Sequence, residues 1–139
     1  MFEWDEKLSV GIDVVDDQHQ ELFRIGRDLV DVLENASEGL DQYDEIVRLL
    51  KELHSYAQFH FSEEEKLMEE ADFIGLAAHR FQHKIFVKKI EEIELDNLDE
   101  DQKNHAFDLL DFLANWITNH IMKVDREYIP EVQKYLDNK

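Results

Sequence analysis

A histidine and a carboxylate four residues apart on an α-helix lie one above the other on the same face. His60 and Glu64 have that spacing, within His60-Phe61-Ser62-Glu63-Glu64. Their face is also the apolar one, because Ile46, Leu49, Leu50, Leu53, Ala57, Phe61, Leu67 and Met68 recur around them at helical intervals. Ionisable groups aimed into a core need partners, since an unpaired buried charge is costly. The chemistry open to such a pair is a buried hydrogen bond or the binding of a metal ion.

Four further histidines of the seven in the chain decide between these. His19 lies on a stripe with Leu22, Phe23, Gly26, Leu29, Val30 and Leu33. His79 and His83 form a second pair at i, i+4, in line with Leu76, Phe86 or Val87, and Ile90. His120 continues a stripe of Ala106, Leu109, Leu110, Leu113, Trp116 and Ile117. One histidine on an apolar stripe is ordinarily a structural residue. Five on four converging stripes are a metal site. His54 is rotated about 120° from His60, and His105 lies roughly 22 Å along the helix from His120, so neither is expected to join them.

Four helices must therefore position the site. The first is expected to start at Asp16 or Asp17, either a good N-cap, and to end at the Asn35–Gly39 break. The second runs from after Asp41 to about Ala71 and is followed by a turn at Asp72–Gly75. The third ends before a turn at Asn97–Asp99, where Asp99 and Gln102 have the spacing of a capping box, and the fourth follows. Residues 1 to about 15 read as an extended arm broken from the helix by Gly11, with Phe2 and Trp4 clamping it to the bundle. Pro130 suits the first turn of a short terminal helix packed through Val132 and Leu136. The expected fold is all-α: an up-down-up-down antiparallel four-helix bundle with an N-terminal arm and a short C-terminal helix, forming one domain over residues 1–139.

Composition agrees and removes other classes. The 139 residues include only 4 Gly and 1 Pro, with 43% hydrophobic and 35% charged residues, which suits helices rather than a turn-rich sheet protein. No apolar run approaches the length of a membrane span. The acidic start Met1-Phe2-Glu3-Trp4-Asp5-Glu6 lacks the layout of a signal peptide, so the cytoplasm is the default expectation. A net charge of −19 repels phosphate backbones and anionic lipid, so no nucleic-acid or membrane partner is expected. With 0 Cys, thiolate ligands and disulfides are excluded. Five imidazoles with a carboxylate exceed one tetrahedral zinc. Nitrogen and oxygen donors without sulfur suit iron or manganese, and the excess of imidazole favours iron.

The segments Gly11-Ile12-Asp13-Val14-Val15-Asp16-Asp17-Gln18-His19, His60-Phe61-Ser62-Glu63-Glu64, His79-Arg80-Phe81-Gln82-His83 and Trp116-Ile117-Thr118-Asn119-His120-Ile121-Met122-Lys123-Val124-Asp125 resemble the bacterial hemerythrins. The resemblance runs from about Trp4 to Asp125 and departs at Phe73-Ile74, where the family often has Tyr-Pro. It implies two iron ions per chain, Fe2+ or Fe3+, joined by an oxo or hydroxo bridge. His79, His83 and His120 would bind one ion, His19 and His60 the other, and Glu64 and Asp125 would bridge them. Asp125 needs the resemblance: five residues after His120 on a straight helix it is turned about 140° away. It reaches the site only if the helix loosens or ends between Ile121 and Val124.

The resemblance further implies reversible dioxygen binding by a carrier or storage protein rather than an enzyme, expected to be a monomer. The oxygen pocket is expected to be walled by Ile117, Trp116, Phe23 and Phe61, with Ile117, one turn before His120, as the lid. An oxygen, redox or iron sensor built on the same site is the alternative. A ferritin-like oxidase would carry Glu-x-x-His pairs, and no histidine here has a Glu three residues before it. A bis-histidine haem site would leave three inner histidines unexplained.

Overall fold

The computed structural model describes residues 1–34, 41–95 and 100–139, with backbone alone at 41–44, 93–95, 100–106 and 109. The helices are α1 (Asp13–Glu34), α2 (Asp41–Glu70), α3 (Leu76–Leu95), α4 (Glu100–Asn119) and α5 (Ile129–Asp137), and no strand occurs among the described residues. In the four-helix bundle α1 packs on α2 and α4, and α3 packs on α2 and α4. The expected break at Asn35–Gly39, the turn at Asn97–Asp99 with its Asp99–Gln102 cap, and the side chains of His105, Ala106 and Leu109 lie outside what is described. Among the described residues no helix is long and apolar enough to cross a membrane.

The apolar stripes meet in one core, with Leu22, Phe23, Leu29, Leu53, Ala57, Phe86, Ile90, Leu110, Leu113 and Ile117 all sealed from solvent. Phe86 rather than Val87 faces inward. The arm docks as expected: Phe2 is buried, and its ring lies edge-on to Phe23 at 6.1 Å, with Trp4 edge-on to Phe23 at 5.8 Å. Gly26 makes room for it, because a Cβ there would lie 2.5 Å from the Phe2 ring.

The start of α1 differs from the expectation. The helix begins at Asp13, and Asp16 is not its cap. The Asp16 carboxylate instead accepts Val10 N–H at 2.8 Å and the Ser9 hydroxyl, so it holds the arm across the Gly11 bend, where φ is +76°. With Asp16 so engaged, Asp13 and Asp16 together place negative charge in the first turn, where the helix dipole favours it.

Helix α2 ends in a Schellman motif. Phe73 N–H bonds Met68 O at 2.9 Å and Asp72 N–H bonds Glu69 O at 3.1 Å, with Asp72 in the left-handed region at φ +56°. Phe73-Ile74 forms this turn without a proline. Ile74 is fully exposed there, while Phe73 packs against the core.

At its far end α4 changes hydrogen-bond pattern. A π-helical stretch over His120–Val124 leads into a 3-10 turn over Asp125–Tyr128, and α5 follows with Pro130 in its first turn. The π-turn supplies the loosening that the position of Asp125 requires, and such single π-turns concentrate at functional sites.

Candidate metal centre

All seven expected residues converge in the core, and each is at most 3% exposed. His19 comes from the second turn of α1, His60 and Glu64 from consecutive turns of α2, and His79 and His83 from consecutive turns of α3. His120 opens the π-turn, and Asp125 closes it, swung inward by the extra residue that turn holds.

Their polar atoms form two groups that share a member. Donor atoms of Glu64, His79, His83, His120 and Asp125 all lie within 4.8 Å of one another, as do those of His19, His60 and Glu64. At the three-histidine end, Glu64 Oε1 is 3.0 Å from His83 Nε2 and 3.3 Å from His79 Nε2. Asp125 Oδ1 is 2.8 Å from His79 Nε2 and 3.0 Å from His120 Nε2. The other oxygens face the two-histidine end. Glu64 Oε2 is 3.5 Å from His19 Nε2 and 3.4 Å from His60 Nε2, and Asp125 Oδ2 is 3.4 Å from His19 Nε2. Each carboxylate thus presents one oxygen to each end.

The imidazoles are aimed by groups behind them. His60 Nδ1 donates to Gln18 Oε1 at 2.8 Å, His120 Nδ1 to Gln82 Oε1 at 3.0 Å and His83 Nδ1 to Glu65 Oε2 at 2.9 Å. Those acceptors place the proton on Nδ1 and leave Nε2 as a lone pair directed inward. His83 Nε2 and His120 Nε2 then face each other at 3.2 Å. Lone pairs at that distance repel unless a cation lies between them. Adjacent donors about 2.1 Å from a shared octahedral ion would be separated by roughly 3.0 Å. His19 Nε2, His60 Nε2, Glu64 Oε1 and Asp125 Oδ2 are buried without a hydrogen-bond partner. Buried polar atoms are normally satisfied, so these four also fit a cation.

The charges balance only in part without one. Burial pushes His19 and His79 down, but hydrogen bonding and charge from Asp125 and Glu64 outweigh it and raise both to about 9. Burial pushes His60 below the usual imidazole range. Glu64 and Asp125 stay well below the usual carboxylate range despite burial, held there by the surrounding histidines. In the metal-free protein, protons on His19 and His79 stand where a cation would neutralise the two carboxylates.

Several site residues were not found from the sequence. Tyr128 is fully buried, and its hydroxyl donates to Glu64 Oε2 at 3.0 Å. Burial beside the Glu64 carboxylate raises its phenol well above the ordinary value. The available signal was a tyrosine three residues after Asp125, since a buried phenol needs an acceptor. Gln18, Gln82 and Glu65 were also missed. Each is next in sequence to a predicted ligand, so it points about 100° away, towards a neighbouring helix. His54 lies apart from the centre, as expected, with Nε2 3.1 Å from Glu91 across the α2–α3 surface.

The expected oxygen-pocket residues are spread around the site rather than gathered. Phe61 stacks on His83 at 3.9 Å and 7°, and Trp116 on His120 at 4.6 Å and 10°. Both therefore back imidazoles of the three-histidine end, and Trp116 is only half-buried, lining an outer groove with Phe112, Asn119 and Lys123. Phe23 holds Phe2 and Trp4, and Ile117 is fully buried in the core.

Comparison with known proteins agrees with this geometry. Residues 10–132 match the model of the hemerythrin HHE cation binding domain. A bacteriohemerythrin of Clostridium acetobutylicum is 39% identical over 93% of this chain and 99% of its own length. A myohemerythrin of Riftia pachyptila is 29% identical, covering 90% and 88%. A wild-type hemerythrin crystal structure superposes with a TM-score of 0.77 at 25% identity, covering 94% of this chain and 96% of that one. Five inward imidazoles with two shared carboxylates, on a chain that follows these relatives along nearly its whole length, make this protein a member of the hemerythrin family.

Proposed function

We propose that the protein binds dioxygen reversibly at a di-iron centre. His79, His83 and His120 would hold one ion and His19 and His60 the other, with Glu64 and Asp125 shared between them. The observation that carries this reading is the split of each carboxylate, with one oxygen towards each histidine group. When bound, the two irons supply the pair of electrons that dioxygen capture draws on and release returns.

The chain's own residues make that exchange reversible. Counting donors, the three-histidine end would offer five protein ligands and the two-histidine end four, so His19 and His60 mark the end where the protein would leave a metal the more open. Tyr128 fixes the bridging arm of Glu64 through its hydroxyl. Gln18, Gln82 and Glu65 hold their imidazoles in one tautomer and one orientation. Ile117, Leu113, Leu22 and Leu53, all fully buried, pack the apolar core that excludes water and stray protons. We read Ile117 as the lid over the two-histidine end. The same reading makes the protein a carrier or store rather than an enzyme, a monomer working in the cytoplasm.

The test is metal analysis after iron-replete expression, followed by cycles of oxygen and argon. Two irons per chain and a visible spectrum that changes and recovers over each cycle are expected. One metal per chain, zinc in place of iron, or a spectrum indifferent to oxygen would overturn the reading.

A further inference from the structure

The residues that back the imidazoles are not alike. His60 and His120 lean on neutral amides, Gln18 and Gln82. His83 leans on a carboxylate, Glu65, at 2.9 Å. Nδ1 of His19 and of His79 has no hydrogen-bond partner. Glu65 is itself anchored, because Arg80 Nε donates to its other oxygen at 2.9 Å and the side chain is only 20% exposed. Phe61 stacks on the His83 ring and fixes the plane of that imidazole.

Holding a ring in place needs only an acceptor, and Gln18 and Gln82 show that an amide serves. A full negative charge behind one imidazole does more. It draws the Nδ1 proton outward and makes Nε2 the stronger electron donor, the effect by which outer carboxylates raise the basicity of metal-bound histidine. Partial burial strengthens it, since a hydrogen bond to an ionised group gains weight away from water. The two-histidine end has no counterpart, as His60 is backed by Gln18 and His19 by nothing.

We propose that Glu65 is a positioning residue that acts through His83 to make the three-histidine end the more electron-rich, favouring the oxidised metal there. This rests on the reading of His83 as an iron ligand. It gives the two ends different redox properties through a side chain that touches neither metal nor oxygen. The bland alternative is that Glu65 and Arg80 merely tie α2 to α3.

The experiment compares iron-loaded wild type, Glu65→Gln and Gln82→Glu by metal analysis and by spectroelectrochemical titration of the midpoint potential. Glu65→Gln keeps an acceptor for His83 and loses the charge, so the potential should rise by about 59 mV, a tenfold loss of preference for the oxidised metal in a one-electron couple. Gln82→Glu places the same device behind His120 and should lower the potential by a similar amount. Zinc titration of metal-free Glu65→Gln should also show 10- to 100-fold weaker binding, as for other outer-sphere partners, roughly. Two irons with a wild-type potential in Glu65→Gln, or no shift in Gln82→Glu, would overturn this proposal and leave the di-iron reading standing. Should Glu65→Gln fail to fold, Gln82→Glu at its half-exposed position decides alone. A wild-type protein without two irons would overturn both.

Discussion

Replacing Tyr128 with Phe removes one oxygen atom from the core and little else. The ring is fully buried against Phe73 and beside His79, contacts that phenylalanine keeps. What is lost is the hydroxyl donated to Glu64 Oε2 at 3.0 Å. A hydrogen bond to a charged group contributes about 1.5–3 kcal/mol, more than a neutral pair, and here its removal leaves a buried carboxylate oxygen short of a donor. For 139 residues the unfolding entropy near the melting point is about 0.3 kcal/mol per kelvin, so the metal-free protein should melt roughly 5–10 °C lower. The iron-loaded protein should fall less, because the metal then holds Glu64 as well. Tyr135→Phe is the control. Its hydroxyl also donates to a glutamate, Glu70, at 2.7 Å, but at the surface. Surface changes stay within about 0.5 kcal/mol, so this variant should move by no more than roughly 2 °C. Differential scanning calorimetry of the four samples and the two parents decides the matter. Equal shifts for the two tyrosines, or no shift for Tyr128→Phe, would refute the argument that burial sets the value of this bond.

Ile117→Ala should cost on the order of 2–4 kcal/mol through the cavity it leaves, and if Ile117 is a lid, the oxygenated form should also decay faster in stopped-flow spectra; equal decay would reduce it to packing. His60→Ala should lower the iron content, whereas His54→Ala, which disturbs only a surface contact with Glu91, should leave it unchanged by metal analysis. The metal-free protein should lose stability as the pH rises from about 6.5 to about 9. His19 and His79 bind protons more tightly folded than unfolded, so their contribution is complete below pH 6.5 and gone above the folded value, at most ~3 kcal/mol each and less for two groups sharing the same carboxylates. Urea melts at the two pH values check this, and a more stable protein at pH 9 would reverse the sign of the argument.

Much of this protein could be read from periodicity alone. Helical spacing placed His60 with Glu64 and His79 with His83 because the α-helix repeats every 3.6 residues whatever packs around it. The same arithmetic set His54 aside but turned Asp125 away from the site, so that only the resemblance to the hemerythrins asked for an irregularity there, which the π-turn supplies. Where a residue's role depends on a group distant in the chain, periodicity could not reach it. Asp16 looks like a cap until the arm folds back and brings Val10 N–H to it. Phe61 and Trp116 are simply apolar on their stripes, and only the packing of α2 on α3 and the path of α4 lay them against His83 and His120. Gln18 and Gln82 reach across to helices 42 and 38 residues away in sequence. Tyr128 meets Glu64 across 64 residues. Residue types along each helix therefore determined which groups turn inward, since that follows from one local repeat. Which of them meet, and at what distance, was decided by the tertiary structure, because it depends on how the helices sit against one another.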